Sequence, residues 1–141
     1  VSLTAVAFVV ASALYTGFHW TIRVLAYPQF AQVPADAFVP YERNHQRLVS
    51  IAVGPLFAAL VVTALAVLVD RPDGTPLWEP ILGVGLVGVI LAVTALVAVP
   101  LHGRLGTGFD LRTHRRLLAV DAVRLGAAAL TTAVAVAVLA G

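Results

Sequence analysis

The chain has no cysteine, no methionine and no lysine, and only 11% of its 141 residues are charged. Without cysteine there is neither a disulfide framework nor a thiolate metal site. The shortage of charge excludes an ordinary soluble globule, in which roughly 25% of residues are charged. Two stretches, 48–69 and 81–101, carry no charge at all. All nine basic residues are arginine, which points to a GC-rich bacterial source. The sequence pI of about 9.7 does not mark a nucleic-acid binder. Its arginines flank apolar runs, where membrane topology accounts for them.

Hydrophobic residues make up 60% of the chain, mainly Ala, Val and Leu, and the mean hydropathy is +0.97. Four runs, 3–27, 48–69, 81–101 and 117–140, are each long enough to cross a bilayer as a helix. None alternates like a barrel strand, and open sheet edges do not survive in lipid. The expected fold is all-α: a single-domain integral membrane four-helix bundle. No basic segment precedes the first run, so it is expected to stay as a span and not to be cleaved. No internal repeat stands out.

The connections set the expected orientation. Residues 28–47 and 102–116 hold Arg43, Arg47, Arg104, Arg112, Arg115 and Arg116, whereas residues 70–80 hold only Arg71. The positive-inside rule puts the first and third connections in the cytoplasm and both termini outside, in a bacterial inner (plasma) membrane. Trp78 is expected at the outer interface. Pro40 can open a short amphipathic helix leading into the second span, and Pro55 is expected to kink that span. Ala7/Ala11, Ala13/Gly17 and Gly88/Ala92 have the spacing of close helix packing.

Ionisable residues gather at the cytoplasmic ends of the spans, and such residues usually face a bundle interior or a cavity. On the first span Thr16, His19, Trp20, Arg23 and Tyr27 fall on one helical face, which suits a flat, partly anionic aromatic ligand. The alternative is an interfacial belt, with Arg23 reaching to headgroups. Glu42 and His45 stand three apart, the spacing by which one helix offers two metal ligands. Together with His102, which Pro100 could aim inward, they could hold a single ion. The alternative is a solvated face with Glu42 paired to an arginine. His114, among arginines, reads as solvated. Asp121 and Arg124, also three apart, can pair and so lower each other's burial cost. They could serve structurally, or as proton acceptor and anion stabiliser.

Gly17, Trp20, Tyr27-Pro28, Phe38, Tyr41, His45, Pro100-Leu101-His102, Asp121 and Arg124 form a scattered pattern over most of the chain. It resembles that of the anthrone-oxygenase-like family of small four-helix bacterial membrane proteins. The chain has Ala26, Glu42 and Asp121 where such proteins often carry His, His and Asn. The resemblance implies an oxygenase for phenolic or quinone-forming aromatics, working without a cofactor.

Three readings follow. The first is an oxygenase-like membrane enzyme acting on a hydrophobic aromatic or quinol-type molecule. Asp121, Arg124, His19 and Arg23 would be catalytic, and Trp20, Tyr27 and Tyr41 would hold the substrate. The second is a binding protein for a divalent metal ion, through Glu42, His45 and His102, or for haem, through His19 and His102. The third is a non-catalytic subunit of a larger membrane complex. The expected partners are the lipid bilayer and a hydrophobic small molecule, with a homo-oligomer or larger complex open and no nucleic acid.

Overall fold

A chain crossing hydrocarbon must satisfy its own backbone N–H and C=O groups, and a helix does so internally. The computed structural model describes residues 2–141. Its four rods, Leu3–Phe30, Ala35–Val69, Trp78–Leu105 and Leu111–Ala140, are each long and apolar enough to cross a membrane. The first comprises α1 (Leu3–Thr21), a π-helical turn (Ile22–Ala26) and α2 (Tyr27–Phe30). The second is α3 (Ala35–Val69). The third comprises α4 (Trp78–Val93), a second π-helical turn (Thr94–Ala98) and α5 (Val99–Leu105), and the fourth is α6 (Leu111–Ala140).

Caps fix two of the starts. The Ser2 hydroxyl accepts from the Ala5 amide at 3.2 Å, opening α1. Asp110 accepts from the Thr113 amide at 2.7 Å and from its hydroxyl at 2.6 Å, opening α6. These Thr113 bonds hold the Asp110 carboxyl below its usual range. Helix α3 starts at Ala35, so Pro40 lies inside it, as does Pro55. The expected 28–47 connection is therefore mostly helix, and only residues 31–34 link the first two rods.

The helices form a ring in which α1 lies against α3 and α6, and α4 lies against α6 and α3. The two hairpins share one plan, which inspection of the sequence missed. Each first arm carries a π turn whose last residue begins an Ala-x-Pro, at Ala26-Tyr27-Pro28 and Ala98-Val99-Pro100. Each second arm carries His-x-Arg-Leu, at His45–Leu48 and His114–Leu117. The plan is not followed equally at the two hairpin–hairpin seams: α3 packs more sparsely on α4 and α5 than α1 does on α6.

Two apolar clusters fill the bundle. One, with Phe8, Tyr15, Leu60, Val67, Ile90 and Val138, occupies the end where the termini meet residues 70–77. The other, with Phe30, Phe38, Leu101, Leu105 and Leu117, occupies the end of the 31–34 and 106–110 connections. The Phe8 ring of α1 reaches across to Gly83 on α4, where a Cβ would stand 3.1 Å from it. The small-residue pairs expected to pack do not do so inside this chain. Ala7, Ala13, Gly17, Gly88 and Ala92 are exposed, and of the six only Ala11 is buried. The outer surface is apolar: Leu96, Ile51 and Val62 are 75%, 67% and 63% exposed. Such a surface suits contact with lipid.

Candidate functional site

Between the two apolar clusters lies a chain of buried polar side chains that crosses the bundle. It begins at Tyr15, whose hydroxyl donates to His19 Nε2 at 2.8 Å. A carboxylate oxygen only accepts, so His19 Nδ1–H donates to Asp121 Oδ1, at 3.1 Å. Arg124 Nη2 donates to the same oxygen and to the Tyr27 hydroxyl, each at 3.0 Å. The Tyr27 hydroxyl donates onward to His102 Nε2 at 3.2 Å, and His102 Nδ1–H donates to Glu42 Oε1 at 2.7 Å. Gln46 closes the chain, donating to Glu42 Oε1 at 3.2 Å and to the His102 carbonyl at 3.0 Å.

This arrangement contains one constellation twice. Asp121–His19–Tyr15 and Glu42–His102–Tyr27 each place a carboxylate on Nδ1 of an imidazole and a phenol on Nε2. Both carboxylate residues are 0% exposed. Arg124 joins the two sets through its shared nitrogen. Arg23 approaches Asp121 Oδ2 to 3.6 Å from a partly exposed position and donates to the Leu118 carbonyl at 2.9 Å. Asp121 Oδ2, Glu42 Oε2 and Arg124 Nε are buried without a hydrogen-bond partner. The network therefore keeps unspent polar capacity.

The π turns help to set this geometry. An i→i+5 turn holds one residue more than an α turn, so everything beyond it is turned back by about 100° relative to α-helical counting. Tyr27 consequently lies within roughly 20° of the face of His19, where uninterrupted α-helix would leave it about 80° away. Pro28 and Pro100, each just past a π turn, lack the N–H that a continuous α ladder would require there.

A cavity of about 180 Å³ borders the network. Its polar wall comes from His19, Tyr27, Gln46, Ser50, Thr94, His102 and Arg124, and its apolar wall includes Phe18, Ile22, Val53, Phe57 and Ala98. Neither Asp121 nor Glu42 lines it. Each stands behind an imidazole that does. The exposed lining residues are Ser50 on α3 and Val99 on α5, so the cavity opens sideways at the loosely packed seam between those helices.

Several sequence expectations need correction. Trp20 is 60% exposed and does not line the cavity, so the proposed common face of the first span splits, with Trp20 outward and His19 and Tyr27 inward. Tyr41 lies with Asn44 and His45 on a separate shallow groove between the first rod and α3. His114 is not solvated: it is 4% exposed and donates from Nε2 to the Tyr27 carbonyl at 2.9 Å, helping to fix the residue that carries the central phenol. Glu42 pairs with His102 rather than with an arginine.

Glu42, His45 and His102 are not drawn together as a set of ion ligands. Among the described residues no group of three or more His, Asp or Glu side chains is arranged to hold a metal. The His45 and His102 rings stack at 5.8 Å, and His45 Nε2 is buried without a partner. Both ring nitrogens of His19 and of His102 are hydrogen-bonded within the network. Tyr15, Gln46 and Thr94 were not anticipated. Tyr15 and Gln46 lie one helical turn from His19 and Glu42, and that spacing was the available signal.

Fold and interior together define a helical bundle of membrane-spanning length with a cavity that is polar on one wall and apolar on the other. No protein-family model, curated protein or solved structure matches the chain.

Proposed function

We propose that this chain is a multi-pass enzyme of a bacterial plasma membrane, oxygenase-like, acting on a hydrophobic phenolic or quinol-type aromatic held in the cavity. The arginine-rich connections are cytoplasmic and the termini extracytoplasmic by the positive-inside rule. A lipid-soluble aromatic enters between α3 and α5.

The observation that carries this reading is the order of groups at the cavity wall. Tyr27 presents its hydroxyl with Arg124 donating to the oxygen and His102, backed by Glu42, accepting the proton. An acid–base group oriented by a second and then a third group is the general form of an activated proton-transfer site. A substrate O–H or activated C–H gives its proton to the Tyr27 oxygen as Tyr27 passes its own to His102. The Arg124 guanidinium then faces the negative charge left on the substrate, in surroundings where water screening is weak. An electron-rich aromatic anion of this kind can react with dioxygen. For an anthrone, the ring CH₂ becomes C=O, one oxygen atom is kept and the other leaves as water.

In this scheme Asp121 is a positioning residue. It does not line the cavity, and it holds His19 and Arg124 in place. Arg23 braces Asp121 from outside and does not meet the substrate. Trp20 belongs to the lipid-facing surface.

A second reading is a helix-locking, non-catalytic role in a larger complex. It is favoured by the full engagement of both imidazoles. The test is aerobic turnover of anthrone, hydroquinone and naphthol by purified protein in lipid nanodiscs, followed by oxygen uptake and product chromatography. The enzyme reading expects oxidation that falls about 100-fold or more in Tyr27→Phe. Absence of both turnover and saturable binding across the panel supports the second reading.

A further inference from the structure

The outer face of the bundle carries a second feature, distinct from the cavity and independent of its chemistry. Between the third rod and α6 runs an apolar groove walled by Leu96, Val97, Pro100 and Val120, with Arg104 and Arg116 at one end. Leu96 is 75% exposed, and from Leu96 to Arg104 the groove follows the third rod for about 12 Å. Among the described residues neither arginine takes part in an ion pair. Arg112 and Arg115 stand beside Arg116 around an adjoining recess. The one carboxylate of that recess, Asp110, is committed to capping α6 through Thr113.

We infer that this groove is a binding site for one anionic glycerophospholipid. An acyl chain lies along Leu96, Val97, Pro100 and Val120, and the headgroup phosphate is held by Arg104 and Arg116. Apolar wall and cationic end follow each other in the order of a lipid's tail and head. Guanidinium matches phosphate in a planar, two-bond geometry, and basic recesses beside membrane spans favour acidic headgroups. Four arginines against one occupied carboxylate leave a local excess of positive charge. A choline headgroup would bring its own cation into that field, whereas a glycerol headgroup would not. This inference uses the membrane placement but none of the proposed oxidation chemistry.

The test is native mass spectrometry of the full chain released from detergent with equal amounts of dioleoyl phosphatidylglycerol and dioleoyl phosphatidylcholine. The expected result is one phosphatidylglycerol retained in clear preference. Arg104→Gln with Arg116→Gln should weaken its apparent affinity roughly 30-fold, about fivefold for each cation lost. Arg43→Gln with Arg47→Gln, which removes the same charge from another part of the same end, should leave it within about twofold. Both substituted pairs lie at exposed positions, and circular dichroism checks that helix content is kept. Equal retention of the two lipids would overturn the inference. So would an unchanged preference in the first variant, or an equal loss in both variants, which would mean diffuse surface attraction.

Discussion

The Asp121–Arg124 pair is the feature whose removal the structure constrains most tightly. In lipid, apolar burial contributes little to helix association, so packing and interhelical polar contacts carry it. Asp121 is 0% exposed and Arg124 5% exposed. Asp121→Leu strips Arg124 of its counter-charge and His19 of its acceptor, leaving the guanidinium held by Tyr27 and distantly by Thr94. Removing one partner of a buried pair costs about 3–5 kcal/mol. The remaining Tyr27 contact puts this case at the low end, about 3 kcal/mol. Arg23 adds little, because it is partly exposed and screened. Arg124→Leu leaves the carboxylate with His19 and Arg23, and a similar cost of about 3 kcal/mol follows. The double replacement leaves no orphaned charge and should cost less than the two singles together, with a coupling of at least about 2 kcal/mol. The assay is reversible SDS-titrated unfolding in mixed micelles, followed by circular dichroism, for all four corners of the cycle. Single losses below about 1 kcal/mol that simply add would refute the reasoning.

Other perturbations give distinct outcomes. Tyr27→Phe keeps the ring in place but removes the hydroxyl from between Arg124 and His102, and should cost about 1–3 kcal/mol of stability in the same titration. Trp20→Ala should leave both stability and turnover nearly unchanged, since the indole faces outward; a loss of turnover would return Trp20 to the site. Gly83→Val should destabilise by about 1–3 kcal/mol through overpacking against the fully buried Phe8, read as a lower unfolding midpoint. Asp110 makes the start of α6 sensitive to acid. Its carboxyl is held below the ordinary range by Thr113, so its stabilising effect is complete above that range and is lost as pH falls through the depressed value. Protection of the first α6 amides against hydrogen exchange, corrected for the intrinsic pH dependence, should therefore fall as pH drops below the ordinary carboxylate range, and Asp110→Asn should flatten that dependence.

The four rods were legible because hydrocarbon demands runs of about 20 apolar residues, and the runs at 48–69 and 81–101 meet that demand without a single charge. Helix α3 nevertheless begins at Ala35, ahead of the apolar run. Hydropathy marks where lipid begins, while a helix ends where its capping and packing end. Glu42 and Gln46 lie in that extension, which is why their place in the polar network was hard to read. The π turns were the second obstacle. Counting by α-helical period sets Trp20 and Tyr27 on one face. The extra residue in the turn breaks that agreement and brings Tyr27 round to His19. The Pro residues beside both turns were visible, but a proline alone does not distinguish a kink from a π turn. His114 was misread because arginine neighbours suggest solvent. Its side chain instead reaches the Tyr27 carbonyl across the bundle, a contact with no local signature. The pairing of Asp121 with Arg124 was readable from spacing, whereas the partners His19, Tyr27 and His102 required the tertiary fold.

The proposed function puts an aromatic molecule in the cavity beside Tyr27 and Arg124. The most direct measurement is a crystal structure of the protein soaked with 2-bromohydroquinone, with the bromine located by anomalous scattering. The account predicts a bromine peak inside the cavity, among Tyr27, Thr94 and Phe57, that disappears when Ala98 is replaced by Phe to fill the space. Bromine found only on the outer apolar surface, or a peak that survives Ala98→Phe, would contradict it.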